Sequence, residues 1–299
     1  MSAEKSTVAG WQAVGGQRLD VMVSQHCEIG RRRAAQWVRE GRVLVDDRRA
    51  RPGDAPTAES HVRVDLTEAP VAVAILPAAR IVLARGATTI LNKRAGAHTH
   101  KGISEPSVAR YLETLGHGAA QIGDRPEEAG IVHRLDRDTS GVLIAATDAE
   151  TFQRFREAFK NHRVEKEYLA LVGGHPAPSF EINVPLARRG ARVVAATVGD
   201  KSLTAKTRAN VLEQGRGWAL VHATSSTGAP HQIRAHLAMA GFALIGDQTY
   251  AGQHALSDRS GHFLHALRVR LASEIDATAP VPGDFLLELA ARRHETAQG

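Results

Sequence analysis

The chain has 299 residues, of which 43% are hydrophobic and 23% charged, a composition typical of a globular protein with room for about two domains. Its two longest uncharged apolar stretches, residues 69–79 and 235–246, fall short of the roughly 18 residues that a membrane-spanning helix needs, which excludes a transmembrane protein. Lysine and arginine number 38 against 32 acidic residues, and the resulting net charge of +6 favours a polyanionic partner.

The start of the chain carries little structural signal. Its first ten residues lack hydrophobic periodicity and a folded pattern begins near Gln17, so residues 1–16 are expected to be disordered. They also lack a basic segment followed by an apolar core, the pattern of a secretory signal, so the cytoplasm is the expected compartment. The single cysteine, Cys27, cannot form an internal disulfide or a multi-thiolate zinc site. The fold must therefore be stabilised by its hydrophobic core.

A small α+β unit is predicted over residues 17–66. The sequence indicates two helices and then two strands, over residues 18–23, 31–40, 43–45 and 61–66. Residues 30–54 contain eight arginines against four acidic residues, which predicts a basic patch. Because a run of charge is more often a solvated face than a binding site, composition alone leaves both interpretations open.

Two helices that present arginines before a small hairpin resemble the S4-type RNA-binding domain, although another small basic module would fit the same pattern. The resemblance is carried by residues 18–20, by Ser24 and by residues 41–46. It implies RNA contacts for four arginines of this unit, Arg31, Arg32, Arg33 and Arg42.

Residues 67–80 contain two prolines and five alanines, and they are expected to link this unit to a second domain over 81–299. In that domain the sequence predicts further strands and a helix, over residues 81–83, 89–91, 142–145 and 107–114.

A second helix of this domain begins at residues 147–150, which have the spacing of a capping box. It is expected to place Phe152, Phe155 and Phe159 in the core and to end at a left-handed Asn161.

Residues 130–141 place Asp136 between Arg134 and Arg137, directly before an apolar strand. This pattern fits an exposed turn with weak salt bridges, and it fits equally a carboxylate kept ionised by cations in a cleft for an anionic substrate. Residues 133–141 read His-Arg-Leu-Asp-x-x-Thr-Ser-Gly, and all seven specified positions resemble the signature of the RluA-like pseudouridine synthases.

That resemblance implies isomerisation of uridine to pseudouridine in ribosomal or transfer RNA, with Asp136 as the catalytic aspartate. The reaction breaks the C1′–N1 bond, turns the uracil and joins C1′ to C5, so it needs a carboxylate that attacks carbon or removes the C2′ proton. It needs no oxidant, metal or nucleotide, so no cofactor is expected. The implied fold is α+β, with the S4-like module followed by a catalytic domain on a mixed, mainly antiparallel sheet with flanking helices.

A strand is predicted over residues 164–172, with Lys166 and Tyr168 on one face. A buried structural tyrosine is the ordinary interpretation of this pattern. The pattern Lys-x-Tyr-x-Ala resembles that of the same family, and it implies that Tyr168 stacks on the flipped uracil and takes part in proton transfer. Stacking would regain part of the free energy spent in removing the base from its own stack.

Residues 227–241 are predicted to form a loop and a helix that ends at Gly241. The apolar stripe on this helix leaves Arg234 on an adjacent face, where a solvated arginine is the ordinary interpretation. The resemblance to Thr-Gly-Arg-Thr-His-Gln-Ile-Arg-x-His implies instead that Arg234 pairs with the catalytic aspartate, and guanidinium geometry favours a bidentate contact. His231 and His236 are spaced by five residues and do not lie side by side on a helix, so no metal site is expected.

The remaining polar residues of the three motifs are expected to contact RNA: Arg134, Lys166, His231 and Gln232. Shorter family matches occur at residues 245–250, 264–266 and 279–285. The chain departs from the family pattern at Ala229-Pro230, at Arg94 and at residues 84–86, which bears on the choice of RNA target. We expect a monomer that needs no protein partner and no membrane. An RNA-binding protein that has lost catalysis, or a hydrolase that uses Asp136, are the alternatives.

Overall fold

The computed structural model describes residues 8–27, 29–39, 41–51, 53–65, 78–100, 106–125, 127–190, 192–257 and 259–298. The chain divides into two compact units, Met1–Ala74 and Ile75–Gly299. Most of the expected linker, residues 67–77, lies outside the described residues. Its last two residues, Ala79 and Arg80, already belong to the first strand of the second unit, so that part of the expectation was wrong.

The first unit packs two helices against a four-stranded antiparallel sheet in the order β1-β4-β2-β3. Its elements are β1 Val8–Gln12, α1 Leu19–His26, α2 Arg31–Arg39, β2 Val43–Val45, β3 Arg48–Arg49 and β4 His61–Asp65. The apolar faces of the helices meet the sheet, with Met22, Val23 and Val64 fully buried. The predicted helices and strands of this unit are therefore present.

The expectation of disorder over residues 1–16 was wrong for Val8–Gln12, because β1 pairs with β4 along its whole length. The pairing joins Val8 to Asp65 and Gln12 to His61. A five-residue strand is too short to produce a clear alternation in sequence, and its main-chain hydrogen bonds depend on a partner about fifty residues away.

The second unit is built on a nine-stranded sheet in the order β5-β6-β7-β15-β8-β14-β13-β9, with β16 paired to β15. Only the β7–β15 pair is parallel among the described pairings of this sheet, so the sheet is mixed and mainly antiparallel, as expected. Its strands are β5 Ala79–Arg85, β6 Thr88–Lys93, β7 Ser140–Ala146, β8 Glu165–Gly173, β9 Ser179–Asn183, β13 Lys206–Gly215, β14 Trp218–Ser225, β15 Leu264–Leu271 and β16 Ile275–Thr278. A separate three-stranded sheet joins β10 Leu186–Arg189, β11 Arg192–Ala195 and β12 Ser202–Leu203.

Among the described residues of this unit, four α-helices flank the large sheet: α3 Val108–Thr114, α4 Ala149–Lys160, α5 Gln232–Met239 and α6 Gly283–Gln298. On α4, Phe152 and Phe155 are buried against the sheet as expected, while Phe159 is only partly buried. None of the helices formed by the described residues has both the length and the apolar character needed to cross a membrane.

Both predicted ends of α4 are shifted by one residue. The N-cap is Asp148, whose Oδ1 accepts the Thr151 amide at 2.7 Å, so the expected capping box at residues 147–150 was wrong. At the other end Asn161 has φ −89°, and His162, with φ +56°, takes the left-handed conformation instead. Cap residues one position apart offer similar side-chain chemistry, so sequence alone does not separate them.

Gly141 allows the close approach of β7 to β15 directly after the Asp136 loop. Its φ of +117° lies in the region that favours glycine, and a Cβ there would collide with the Ala266 carbonyl. The parallel register joins Gly141 to Ala266 and Ser140 to His265. The glycine of the motif therefore sets the position at which the loop carrying Asp136 enters the sheet.

Candidate active site

Asp136 lies in the loop before β7 and pairs with Arg234 of α5, 98 residues away along the chain. The Arg234 Nη1 donates to Asp136 Oδ2 at 2.9 Å. The arginine side chain is 7% exposed and the aspartate side chain 19% exposed, so the pair is largely removed from water while the carboxylate remains accessible. The pairing implied by the motifs is present, with a single hydrogen bond.

The forked contact of Arg234 is made with a different carboxylate, that of Asp247. Nε donates to Asp247 Oδ2 at 2.7 Å and Nη2 donates to Asp247 Oδ1 at 2.9 Å. The expectation of a bidentate contact with Asp136 was therefore wrong, because the Nε and Nη2 edge of the guanidinium binds Asp247 and only Nη1 reaches Asp136. Asp247 itself is fixed by the Thr249 amide, which donates to Oδ1 at 3.0 Å. Sequence reasoning gave Asp247 no role, although it lies in the matched segment 245–250.

The charge of Arg234 keeps Asp136 ionised. Burial raises the pKa of Asp136, but His231 and Arg234 together lower it by more, so the pKa lies below the usual 3.8. Burial also lowers the pKa of His231 below 6.5, so this histidine is neutral at pH 7 and Arg234 is the cation that acts there. Arg134 and Arg137, which flank Asp136 in sequence, do not stabilise its charge in this way. Arg134 is exposed, and the Nη1 of Arg137 lies 3.6 Å from Oδ1 of Asp138.

The three residues assigned to catalysis, Asp136, Tyr168 and Arg234, line one cavity of about 830 Å³. A cavity of this size is typical of a site for a small molecule or part of a larger one. Tyr168 lies on β8, and its ring packs against two clusters of buried apolar side chains. Burial and then the charge of Asp136 raise the pKa of Tyr168, so its phenol stays protonated at physiological pH. A carboxylate and a hydrogen donor therefore face the same space.

Four further residues expected to contact RNA, Arg134, Lys166, His231 and Gln232, line the same cavity. The His231 Nε2 lies 3.9 Å from Asp136 Oδ1, and its Nδ1 lies 3.3 Å from the hydroxyl of Tyr250. Tyr250 in turn binds the main chain of Val193 in β11, whose amide donates to the hydroxyl at 3.0 Å. The small sheet is therefore tied to the edge of the site. Within the described part of the chain, no group of three or more His, Cys, Asp and Glu residues is arranged to hold a metal ion.

The side-chain amide of Gln232 is bound within the protein, which points to a structural role, and its expected contact with RNA stays a prediction. Its Oε1 accepts the Thr227 hydroxyl at 3.0 Å and the Ala229 amide at 3.1 Å. Its Nε2 donates to the Ser225 hydroxyl at 2.8 Å and to the Lys206 carbonyl at 3.0 Å. A buried amide with this set of partners fixes the loop before α5 and thereby the position of Arg234.

Two buried side chains that sequence reasoning missed hold the Asp136 loop in place. Lys93 donates to the carbonyls of Arg94, Ala97 and Arg137 at 2.9, 2.7 and 2.8 Å. Thr99 donates through its hydroxyl to the Leu135 carbonyl at 2.8 Å and accepts the Leu135 amide at 3.1 Å. The main chain on both sides of Asp136 is therefore fixed.

In the first unit Arg31 is exposed, with its Nη2 4.0 Å from Asp20 Oδ2. Arg42 is half-buried: it donates to the Asp65 carbonyl at 2.7 and 3.1 Å, and its guanidinium lies 4.7 Å from the centre of the Trp37 ring. Arg42 thus contributes to the packing of its own unit. The side chains of Arg32 and Arg33 lie outside the described residues.

A cavity lined by an ionised aspartate and a protonated tyrosine offers a nucleophile or base together with a hydrogen donor, which are the groups of an enzyme active site. The chain belongs to the RNA pseudouridylate synthase family, whose model matches residues 87–239, about half of the chain. The model of the S4 domain matches residues 17–62. The resemblances to RluA-like synthases and to S4 domains are thus confirmed, and the protein is an isomerase that acts on RNA.

Curated relatives match almost the whole chain. The ribosomal large subunit pseudouridine synthase D of Pseudomonas aeruginosa is 28% identical over 94% of each chain. An RNA pseudouridine synthase of Mycobacterium bovis is 29% identical over 94% of this chain and 96% of its own. Two human structures, RNA pseudouridylate synthase domain containing 4 and domain containing 1, share the fold with TM-scores of 0.58 and 0.54 at 23% and 24% identity. They cover 71% and 68% of this chain and 92% and 83% of their own.

Proposed function

We propose that this protein converts specific uridines of ribosomal RNA to pseudouridine, with Asp136 as its catalytic carboxylate. The observation that carries the proposal is the Asp136 carboxylate on the cavity wall, paired at 2.9 Å with Arg234. The choice of ribosomal RNA is supported by the relatives, several of which are named ribosomal large subunit pseudouridine synthase D. The cytoplasm stays our prediction for the location of the protein, and a monomer stays our prediction for its oligomeric state.

The reaction is an isomerisation in which the hydrogen on C5 is lost and another is gained at N1, while all other atoms of the uridine are kept. The C1′–N1 bond breaks, the uracil turns, the C1′–C5 bond forms, C5 loses its hydrogen and N1 gains one. Asp136 supplies the group that these steps need, as a nucleophile toward carbon or as the base for the C2′ proton. Arg234 fixes the carboxylate and keeps it anionic. Tyr168 offers a ring face to the uracil and a protonated phenol that takes part in proton transfer as a donor.

The proposal is tested by mapping pseudouridines in total RNA from cells with and without this protein. We expect at least one site in the large-subunit ribosomal RNA to depend on the protein. A dependent site in transfer RNA alone would move the activity to that substrate. RNA binding with no dependent site in any RNA would identify a binding protein that has lost catalysis.

For Tyr168→Phe we expect RNA affinity close to that of the parent, because the ring that stacks on the base is kept. Turnover should fall by about 10²- to 10⁴-fold, the usual contribution of a group that transfers a proton. The measurement is release of the C5 hydrogen at saturating RNA together with the Kd for the same RNA. Parental turnover by Tyr168→Phe would show that only the ring is needed.

The arginines of the first unit are proposed to supply affinity and not catalysis. Replacing Arg31, Arg32 and Arg33 by alanine should lower activity at low RNA concentration and leave it unchanged at saturation, because uniform binding energy does not act on the chemical step. The slope of log Kd against log salt should also fall, by about 0.7 for each arginine that contacts a phosphate of a single strand. An unchanged salt slope would mean that these arginines form only a solvated face.

A further inference from the structure

Lys166 places a positive charge in the cavity wall that no acidic side chain neutralises among the described residues. The residue is 7% exposed, and its Nζ donates one hydrogen bond, to the Ser226 carbonyl at 3.1 Å. An ammonium group has three protons, so two of them find no acceptor in the part of the chain that the structure describes. Burial lowers the pKa of Lys166 to about 8, so it is still mostly charged at pH 7.

A buried ammonium whose protons lack acceptors is costly: Lys93, which is also without a carboxylate partner among the described residues, donates all three of its protons to carbonyls, whereas Lys166 donates one. Arg292 is equally buried, and its Nε donates to the buried carboxylate of Glu288 at 3.0 Å. Lys166 lines the cavity and has no such partner in the part of the chain that the structure describes. The unpaired charge of Lys166 destabilises the free protein. Because this charge faces an open cavity, an anionic ligand bound there would neutralise it, which explains its presence.

His133 adds a second, neutral donor to the same wall. Its Nε2 accepts the Ile144 amide at 3.1 Å, so the ring proton is on Nδ1, for which none of the described groups is an acceptor. Burial, and then the charge of Lys166, lower the pKa of His133 to about 3, which keeps the ring neutral. The ring stacks on Phe159 with 4.5 Å between centroids, and the Lys166 Nζ lies 5.7 Å from the centre of the same Phe159 ring. The three side chains form one side of the cavity.

The space beside the ammonium is kept open by a glycine. A Cβ at Gly228 would lie 3.9 Å from the Lys166 Nζ, so any larger side chain there would approach the ammonium. Lys166 and Tyr168 are two residues apart on β8 and share a face, which separates them by about 6 to 7 Å along the strand. That separation is comparable to the distance between a base and the phosphate of the same nucleotide.

We propose that Lys166 and His133 bind a phosphodiester group of the RNA strand next to the uridine that stacks on Tyr168. This subsite rests on the proposed function and deepens it, because it fixes where the backbone of the substrate lies. Lys166 contributes a charge-assisted hydrogen bond and His133 a neutral one. The substrate supplies the anion that the free protein lacks.

The test measures binding of an RNA stem-loop that carries the mapped uridine in its loop, with Asp136→Asn protein so that no turnover occurs. Adding Lys166→Met should weaken the affinity at least about tenfold, because it removes a hydrogen bond between charged groups. The temperature of unfolding should stay the same or rise, since an unpaired buried charge is replaced by an apolar chain of similar length. Lys201→Met, which removes the same charge at an exposed position outside the cavity lining, is the matched control and should keep the parental affinity.

The same stem-loop is then made with one neutral methylphosphonate at each phosphate of the loop in turn. With the methylphosphonate at one position beside the uridine, Lys166→Met should no longer weaken the affinity for the RNA. That result would identify the phosphate at this position as the partner of Lys166. The proposal is overturned if no position shows this coupling, or if Lys166→Met lowers the unfolding temperature and leaves RNA affinity unchanged. If the parent protein binds the stem-loop but forms no pseudouridine in it, the proposed function fails and the binding result still decides the subsite.

Discussion

Asp136→Asn is expected to abolish pseudouridine formation, with turnover at saturating RNA reduced by at least about four orders of magnitude. The amide of asparagine is neither a nucleophile toward carbon nor a base, so both proposed roles of the carboxylate are lost. The measurement is release of the C5 hydrogen in a single-turnover experiment on a validated RNA substrate. Appreciable release by Asp136→Asn would remove Asp136 from the reaction.

The fold should survive this change, because Arg234 keeps its fork on Asp247 and loses only one hydrogen bond. RNA affinity and the unfolding temperature should therefore remain near those of the parent. Asp138→Asn is the matched control, since it makes the same chemical change two residues away at a side chain 3.6 Å from exposed Arg137. A surface ion pair of this kind is worth about 1 kcal/mol or less, so turnover should be retained.

Arg234→Lys is expected to lower turnover at least about 100-fold, the order of loss that follows when a catalytic group is misplaced by about 1 Å. An ammonium cannot hold Asp247 through two parallel hydrogen bonds and reach Asp136 with a third.

Asp247→Asn should also lower turnover, because it changes the carboxylate that holds Arg234 in place. It places an amide N–H against a guanidinium donor and should lower the free energy of unfolding by about 3 kcal/mol, because it breaks a buried ion pair.

A double-mutant cycle separates positioning from simple loss of stability. The double variant Arg234→Lys, Asp247→Asn should lose much less activity than the sum of the two single losses, since both changes disrupt the same arrangement around Asp136. Turnover should be affected more than KM, because Asp247 does not line the large cavity. Additive losses, or Asp247→Asn protein with parental turnover, would contradict the role of Asp247 in holding Arg234.

Much of the fold could be predicted from local sequence patterns. The two helices and the strands β2 and β4 of the first unit, and the buried face of α4, follow from residues that are neighbours within one turn or one strand, where hydrophobic periodicity reports directly on burial. The motifs around Asp136, Tyr168 and Arg234 led to the family by resemblance, and these side chains line one cavity. The strand Val8–Gln12 escaped detection, because its partner β4 is far away in sequence.

The sequence by itself determined the class of protein and the segments that carry its chemistry, because each motif is a run of neighbouring residues. Only the tertiary structure decided which groups those residues contact. The fork of Arg234 is on Asp247, the loop of Asp136 is held by Lys93, and Gln232 donates to the Lys206 carbonyl of β13. Each of these contacts joins segments brought together by strand register and loop packing. A side chain whose partner comes from another segment leaves no periodic signal in its own, so burial and pairing at the site depend on the assembled sheet.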